Sequence, residues 1–433
     1  MKRDVYNNLL QWKKSKLRKP LIVRGARQVG KTYLLQEFGN NEYDRLVYCN
    51  FEENESLDDF FKYNLNPHNI IKNLSIYFGF EIRPEKDLII FDEVQASNFA
   101  LNSLKYFNEK ANEFHIAAAG SLIGVLLSRP KSFPVGKVNF LEMHPMTFLE
   151  FLNAVDKKEL RNLIESTQEF NPYPGIFHEE LIQWLKKYLY VGGMPEAVKS
   201  FKDFADYEPV RTIQKEIINS YVLDFAKHAP TSDIPKLRVI WESIPAQLGK
   251  ENKKFIFSAI RKSARSRDYE YAIQWLQDAG LIYISRQIKT ARHPLKAYMN
   301  INCFKIFSLD VGILGAMANL LPGILIDGNK LFTEYKGALV ENYVAQQLYT
   351  EKQIDLFYWT SKGNKAELDF LCEINNEIFP LEAKSGVNPK SKSLISFDKQ
   401  FQPEILSRTS LLNLKKDKKV CNYPLYAISL FPI

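Results

Sequence analysis

The chain has 433 residues, which at about 150 residues per domain suggests roughly three domains and excludes a single small binding module. Apolar residues make up 45% and charged residues 25%, ordinary globular proportions that exclude a largely disordered chain. The 58 Lys and Arg against 50 Asp and Glu leave a net charge of +8, which is compatible with nucleic acid without singling it out.

The N-terminal run MKRDVYNNLLQWKKSKLRK lacks the apolar core of a signal peptide, so a cytoplasmic protein is expected. From there to about residue 150, short β-rich runs alternate with helical patterns: LIVRG, LVYCNF, DLIIFDE and FHIAAAGS. This alternation predicts an α/β fold, a parallel sheet with helices on both faces. Immediately after the first strand comes GARQVGKT, Gly25 to Thr32, which satisfies GxxxxGK[ST] and leads into the helical YLLQEF. This is the strand, loop and helix of a P-loop. Gly25 and Gly30 let the backbone N–H groups of Ala26, Arg27, Gln28 and Val29 turn toward a phosphate at the helix start. Lys31 is expected to reach the β and γ phosphates of ATP, and Thr32 to give its hydroxyl to Mg²⁺.

DLIIFDE ends an apolar strand in Asp92 and Glu93, as a Walker B strand does. Asp92 is expected to hold Mg²⁺ and Glu93 to polarise the attacking water; the competing reading of two such acids is a helix N-cap. The next strand ends in AAAGS, so Ser121 would emerge beside Asp92, either as a γ-phosphate sensor or as a cap of the following helix. Glu52 and Glu53 read as a solvated loop. Arg27 and Arg129 are both candidates for the arginine of an ATPase site, and the sequence does not choose between them. The longest apolar run, Ile116 to Leu127, is broken by Gly and Ser and is too short for a bilayer, so no membrane association is expected.

Between about 150 and 230, apolar residues recur at helical spacing, as in FLEFLNAV and ELIQWLKKYLYV, and predict a helical lid. From 231 to about 330, helices followed by LIYISRQI and KAYMNI suggest a winged helix. Its basic residues Lys253, Lys254, Arg261, Lys262, Arg265, Arg267, Arg286, Lys289 and Arg292 could meet DNA phosphates or serve an internal interface; Asp268, Glu270 and Asp278 on its third helix suit DNA poorly. From 331 to 433 a helix, alternating strands and another helix predict a separate α/β domain, with Asn375 and Asn376 turning a hairpin. Here Glu341 on a helix, Asp369 and Glu367 on one face of a strand, and Glu382 with Lys384 in PLEAKSG form an ordered acidic set. Such a set could place Asp369 and Glu382 on Mg²⁺, with Glu341 and Lys384 completing a catalytic group for phosphodiester hydrolysis. The bland alternative is a salt-bridged strand face that cleaves nothing. The four cysteines, Cys49, Cys303, Cys372 and Cys421, are widely spaced and suggest neither zinc nor disulfides.

With these residues the chain resembles a large prokaryotic family of AAA-like P-loop ATPases of the signal-transduction NTPase type, joined to a C-terminal domain of unknown function. Besides GARQVGKT and DLIIFDE, the strings carrying the resemblance include SFPVGKVNFLEMHPMTFLEFL, YLYVGGMPEAV, WLQDAGLIY, FKIFSLDVGILGAM, KGALVENYVAQQL and PLEAKSG. The C-terminal part is similar to PD-(D/E)XK nucleases, with Glu341, Asp369, Glu382 and Lys384 on that pattern. The resemblance implies a P-loop core over 1–150, a helical lid over 151–230, a winged-helix-like domain over 231–330 and a restriction-endonuclease-like domain over 331–433. It also implies ATP and Mg²⁺ as cofactors and a link to DNA, genome defence or mobile elements. A homo-oligomer is compatible with it. A regulatory switch with a non-cleaving C-terminal docking module is the alternative function.

Overall fold

A computed structural model describes the chain apart from residues 63–64, 122–124, 126–135, 251–252, 261–263, 324–332 and 387–390. Arg129, Arg261 and Lys262 lie outside the described residues, as does the start of any helix that Ser121 would cap. The chain divides into two compact units, Met1–His144 with Asp278–Gly280, and Pro145–Gln277 with Leu281–Ile433.

In the first unit the four apolar runs form β1 (Leu21–Arg24), β2 (Arg45–Asn50), β3 (Asp87–Asp92) and β4 (His115–Ala119). A fifth strand, β5 (Asn139–Glu142), has the partly exposed pattern of an edge and was not legible as a strand. All pairings are parallel, in the order β2-β3-β4-β1-β5. Parallel neighbours need crossovers, and the helices Lys31–Glu42, Pro67–Phe78 and Asn98–Lys110 supply them. Their apolar faces close on a core that includes Val47, Phe91, Leu74 and Leu104. The helix after β3 is capped by Ser97, whose side chain accepts from the Ala100 N–H at 3.0 Å. The capping reading of Asp92 and Glu93 is thereby removed.

The second unit is built on an eight-stranded sheet in the order β12-β13-β11-β10-β9-β8-β6-β7. Its strands are β6 (Ile282–Ile288), β7 (Met299–Ser308), β8 (Leu356–Thr360), β9 (Glu367–Ile374), β10 (Glu377–Ala383), β11 (Leu406–Ser410), β12 (Lys415–Asp417) and β13 (Val420–Pro424). Asn375 and Asn376, at φ 50° and 66°, make the tight turn between β9 and β10. The hairpin expected as a wing also forms, β6 pairing antiparallel with β7. Its other edge, however, pairs in parallel with β8, so the two strands extend the C-terminal sheet instead of standing free as a wing. Helix Thr333–Lys352 links β7 to β8 across this sheet. The helices expected of a lid, among them Phe148–Ala154, Gly175–Val191 and Tyr207–His228, belong to this same unit.

Several strings with no chemistry of their own meet in one buried polar node of the second unit. Asp310 accepts from the Gly193 N–H at 2.6 Å, the Ile313 N–H at 3.1 Å and Gln346 Nε2 at 3.1 Å. Burial raises its pKa, and these donors offset part of that cost. Tyr188 donates to the Met146 carbonyl at 2.5 Å and receives from Gln346 at 3.2 Å. The Met146 N–H in turn donates to Gly193 O at 2.6 Å. VGGMPEA, SLDVGILG, ENYVAQQL and HPMTFLEFL are thus parts of one satisfied network, of the kind that is costly to leave incomplete. A Cβ on Gly193 would stand 2.1 Å from the backbone oxygen of Met146, which cannot move without breaking that network. Gly193→Ala is therefore expected to cost about 2–3 kcal/mol, seen as an earlier unfolding midpoint in urea.

Candidate functional site

The first unit carries its candidate site at the carboxyl ends of β1, β3 and β4, the edge where open parallel sheets bind ligands. Gly25 has φ 148°, and a Cβ there would meet Met143 O at 2.0 Å, so only glycine fits. Ala26 and Val29 are buried, Gln28 is exposed at φ 65°, and Gly30 at φ 93° begins the helix Lys31–Glu42. Arg3 braces the loop from outside, donating to Val29 O at 3.0 Å and His144 O at 2.7 Å. Lys31, only 7% exposed, lies across the loop and donates to the carbonyls of Gly25 at 3.0 Å and Ala26 at 2.8 Å. Its ammonium is thus held at the centre of the phosphate cradle.

Thr32 donates from its hydroxyl to Asp92 Oδ2 at 2.8 Å, which joins the loop to the end of β3. A hydroxyl and a carboxylate at this separation are the hard oxygen donors that suit Mg²⁺. Glu93 follows at φ 46°, with its N–H on Asp92 Oδ1 at 3.0 Å and its carboxylate hydrogen-bonded to the Gln95 amide. Ser121 is half-buried just beyond β4, the strand between β3 and β1. Arg27 is half-buried in the loop, whereas Glu52 and Glu53 are exposed, their N–H groups turned onto Asn50. One residue escaped the sequence reading. Tyr48 on β2 donates to Asp92 Oδ2 at 2.7 Å; burial and then this hydrogen bond raise its pKa and keep the phenol protonated. The signal was present in LVYCNF, where period-two spacing puts Tyr48 and Asn50 on one face, but it required knowing that β2 lies beside β3. Tyr48→Phe is expected to lower ATP turnover by about three- to tenfold with unchanged nucleotide affinity, the loss of one hydrogen bond to a charged group. Steady-state kinetics would check it.

The second unit gathers Glu341, Glu367, Asp369, Glu382 and Lys384 around one cavity of about 620 Å³. The pairing of Leu381 with Phe370 sets Glu382 and Asp369 side by side on β10 and β9. Asp369 Oδ2 accepts from the Ala383 N–H at 2.9 Å, and its carboxyl is hydrogen-bonded to Glu341. Burial, and then the charge of Glu341, raise its pKa to about 8. The remaining acids are paired. Lys384 is ion-paired to Glu382, and Lys253 to Glu341. Lys305, fully buried at 0% exposure, lies 2.6 Å from Glu367 and 3.7 Å from Glu341. Burial opposes the charge on Glu341, but Lys305 and Lys253 outweigh it and hold its pKa below the ordinary value.

Glu341 Oε2 and Glu382 Oε2 are buried without a hydrogen bond, which suits a cation reached from the cavity. Among the described residues, however, no three His, Cys, Asp or Glu form a metal-holding group. The donor set therefore fits one ion held by Asp369 and Glu382 and not a fuller carboxylate cage. Lys254, Lys289 and Lys365 complete the lining beside Asn300 and Asn364. The basic middle segment thus divides: Lys253 is spent on an internal ion pair, Lys254 and Lys289 face the cavity, and Arg265 and Arg292 are exposed.

Comparison with known proteins agrees with the first of these sites. Residues 17–152 match the family model of an AAA domain, residues 182–322 a domain of unknown function (DUF8612), and residues 336–428 another (DUF4143). An uncharacterized protein of Methanocaldococcus jannaschii is 25% identical over 210 residues, 46% of this chain and 42% of that one. The match thus spans less than half the length of that relative. Among solved structures, the Walker-type ATPase of Pyrococcus abyssi is similar over 73% of this chain and 95% of its own, with a TM-score of 0.45 and 15% identity. The RuvB Holliday junction branch migration motor of Thermotoga maritima covers 69% of this chain and 94% of its own, with a TM-score of 0.30 and 16% identity. The N-terminal unit therefore contains an AAA-like P-loop ATPase domain. No helix among the described residues is long and apolar enough to cross a membrane.

Proposed function

We infer that the protein is a Mg²⁺-dependent ATPase whose nucleotide state governs a metal-dependent phosphodiesterase site in its C-terminal unit, acting on DNA. The observation that carries the ATPase reading is the convergence of Lys31, Thr32 and Asp92 on one loop, with Glu93 next in sequence. Thr32 and Asp92 would hold Mg²⁺ beside the β and γ phosphates, and a bound divalent ion would supply Lewis acidity to a phosphoryl oxygen. Lys31 offers its charge where the phosphates would lie. Glu93, steadied by Gln95, orients a water for in-line attack, and Ser121 faces the same sheet edge from β4.

The nuclease reading is supported by the single cavity that joins Asp369, Glu382, Glu341 and Lys384 with rim lysines able to meet a phosphate backbone. Asp369 and Glu382 would hold the cation. Lys384 stands beside Glu382 and can place a phosphate oxygen or a water. The lysine-paired acids equally favour a second reading, in which the C-terminal unit is a docking module that cuts nothing and ATP sets assembly or partner binding. Incubation of the purified protein with supercoiled, linear and single-stranded DNA in Mg²⁺ or Mn²⁺ separates the two. Cleavage lost in Asp369→Ala supports the enzyme; ATP hydrolysis and assembly without any cleavage support the switch.

A further inference from the structure

We propose that Lys305 is a built-in counter-cation that restricts the acidic cavity to a single divalent ion; this rests on the metal-dependent site inferred above. Strand β7 carries Lys305 to the acids with no exposed surface, its Nζ 2.6 Å from Glu367, 3.7 Å from Glu341 and 4.9 Å from the centre of the Tyr358 ring. A lysine so buried is rare unless paired. Burial works against its charge, but Glu341, Glu367 and Asp369 more than compensate, and its pKa is raised. The ammonium is therefore a permanent part of the site.

Position and charge count lead to the same conclusion. Sites that use two ions hold them about 3.5–4 Å apart among shared carboxylates. Lys305 already lies among Glu341 and Glu367 at such distances, where a second ion would need to be. The carboxylates Glu341, Glu367, Asp369 and Glu382 face the ammonium groups of Lys253, Lys305 and Lys384, leaving a formal charge of −1. One divalent ion brings the group to +1. A second would bring it to +3 in a poorly solvated cavity, where like charges repel strongly. Asp369 and the free oxygen of Glu382 are the ligands that remain.

The test counts Mn²⁺ bound to the full-length, nucleotide-free protein by the loss of the free-ion electron paramagnetic resonance signal, with Asp369→Asn as background. The wild type should bind one Asp369-dependent ion. Lys305→Gln should bind a second, or bind the first about tenfold more tightly, as expected when a unit charge is removed a few ångströms away. The double variant Lys305→Gln with Glu367→Gln restores the charge balance and should return to one ion, a reversal that loss of packing alone would not produce. Two Asp369-dependent ions in the wild type overturn the proposal even where Lys305→Gln does not fold. One ion in the wild type with unchanged number and affinity in folded Lys305→Gln removes the role of Lys305 and leaves the metal site standing. No Asp369-dependent ion in the wild type sinks both.

Discussion

Lys31→Ala is expected to lower ATP turnover by about 100-fold or more, because its ammonium is the one cation the loop holds at its centre and developing phosphoryl charge depends on such a preorganised group. Nucleotide affinity should fall with it. Glu93→Gln separates binding from chemistry. The amide preserves size and leaves Thr32, Asp92 and Lys31 untouched, so ATP should still bind while hydrolysis falls by about 10²–10⁴-fold, the usual contribution of a positioned general base. Isothermal titration for binding and phosphate release for turnover would measure both. Normal turnover in either variant would contradict the assignment of this site.

A second large effect is expected at the other end of the chain. Asp369 accepts the Ala383 N–H and stands beside Glu341 and Glu382, so its carboxylate is the point where the acidic group converges. Asp369→Ala should reduce metal-dependent DNA cleavage by at least about 100-fold, the consequence of removing a metal ligand. ATP hydrolysis measured without DNA should stay near the wild-type rate, since Asp369 belongs to the second unit and the phosphate loop to the first. Cleavage that survives in Asp369→Ala would assign the activity elsewhere.

How much of this was legible depended on how local the signal was. GARQVGKT contains strand end, loop and helix start in one run, and DLIIFDE contains both the strand and its terminal acids, so β1, β3 and the Thr32 to Asp92 approach could be anticipated. The turn at Asn375 and Asn376 was equally local. Strand β5 was missed because four residues at a half-exposed edge carry too little pattern. The wing was misplaced for a different reason. LIYISRQI alternates as any hairpin strand would, and nothing within it states that its free edge pairs with β8, which begins about seventy residues later.

The acidic site followed the same logic. Period-two spacing correctly grouped Glu367 with Asp369 and Glu382 with Lys384. It gave no hint of Lys253 or Lys305, whose partners lie far away in sequence and are reached only through the sheet order and helix Thr333–Lys352. The strings that had no evident chemistry proved to be packing: Asp310, Gly193, Gln346 and Tyr188 satisfy one another in the interior of the second unit.

The central claim is that nucleotide state at the phosphate loop governs the acidic site, and one comparison tests it directly. Plasmid cleavage in Mn²⁺ is measured for the wild type with and without ATP, and for Lys31→Ala and Glu93→Gln with ATP. The account predicts that cleavage by the wild type responds to ATP, that Lys31→Ala behaves as the nucleotide-free protein does, and that Glu93→Gln is held at the ATP-bound level. Equal cleavage in all four, abolished only by Asp369→Ala, would show the acidic site working without reference to the nucleotide and would contradict the claim.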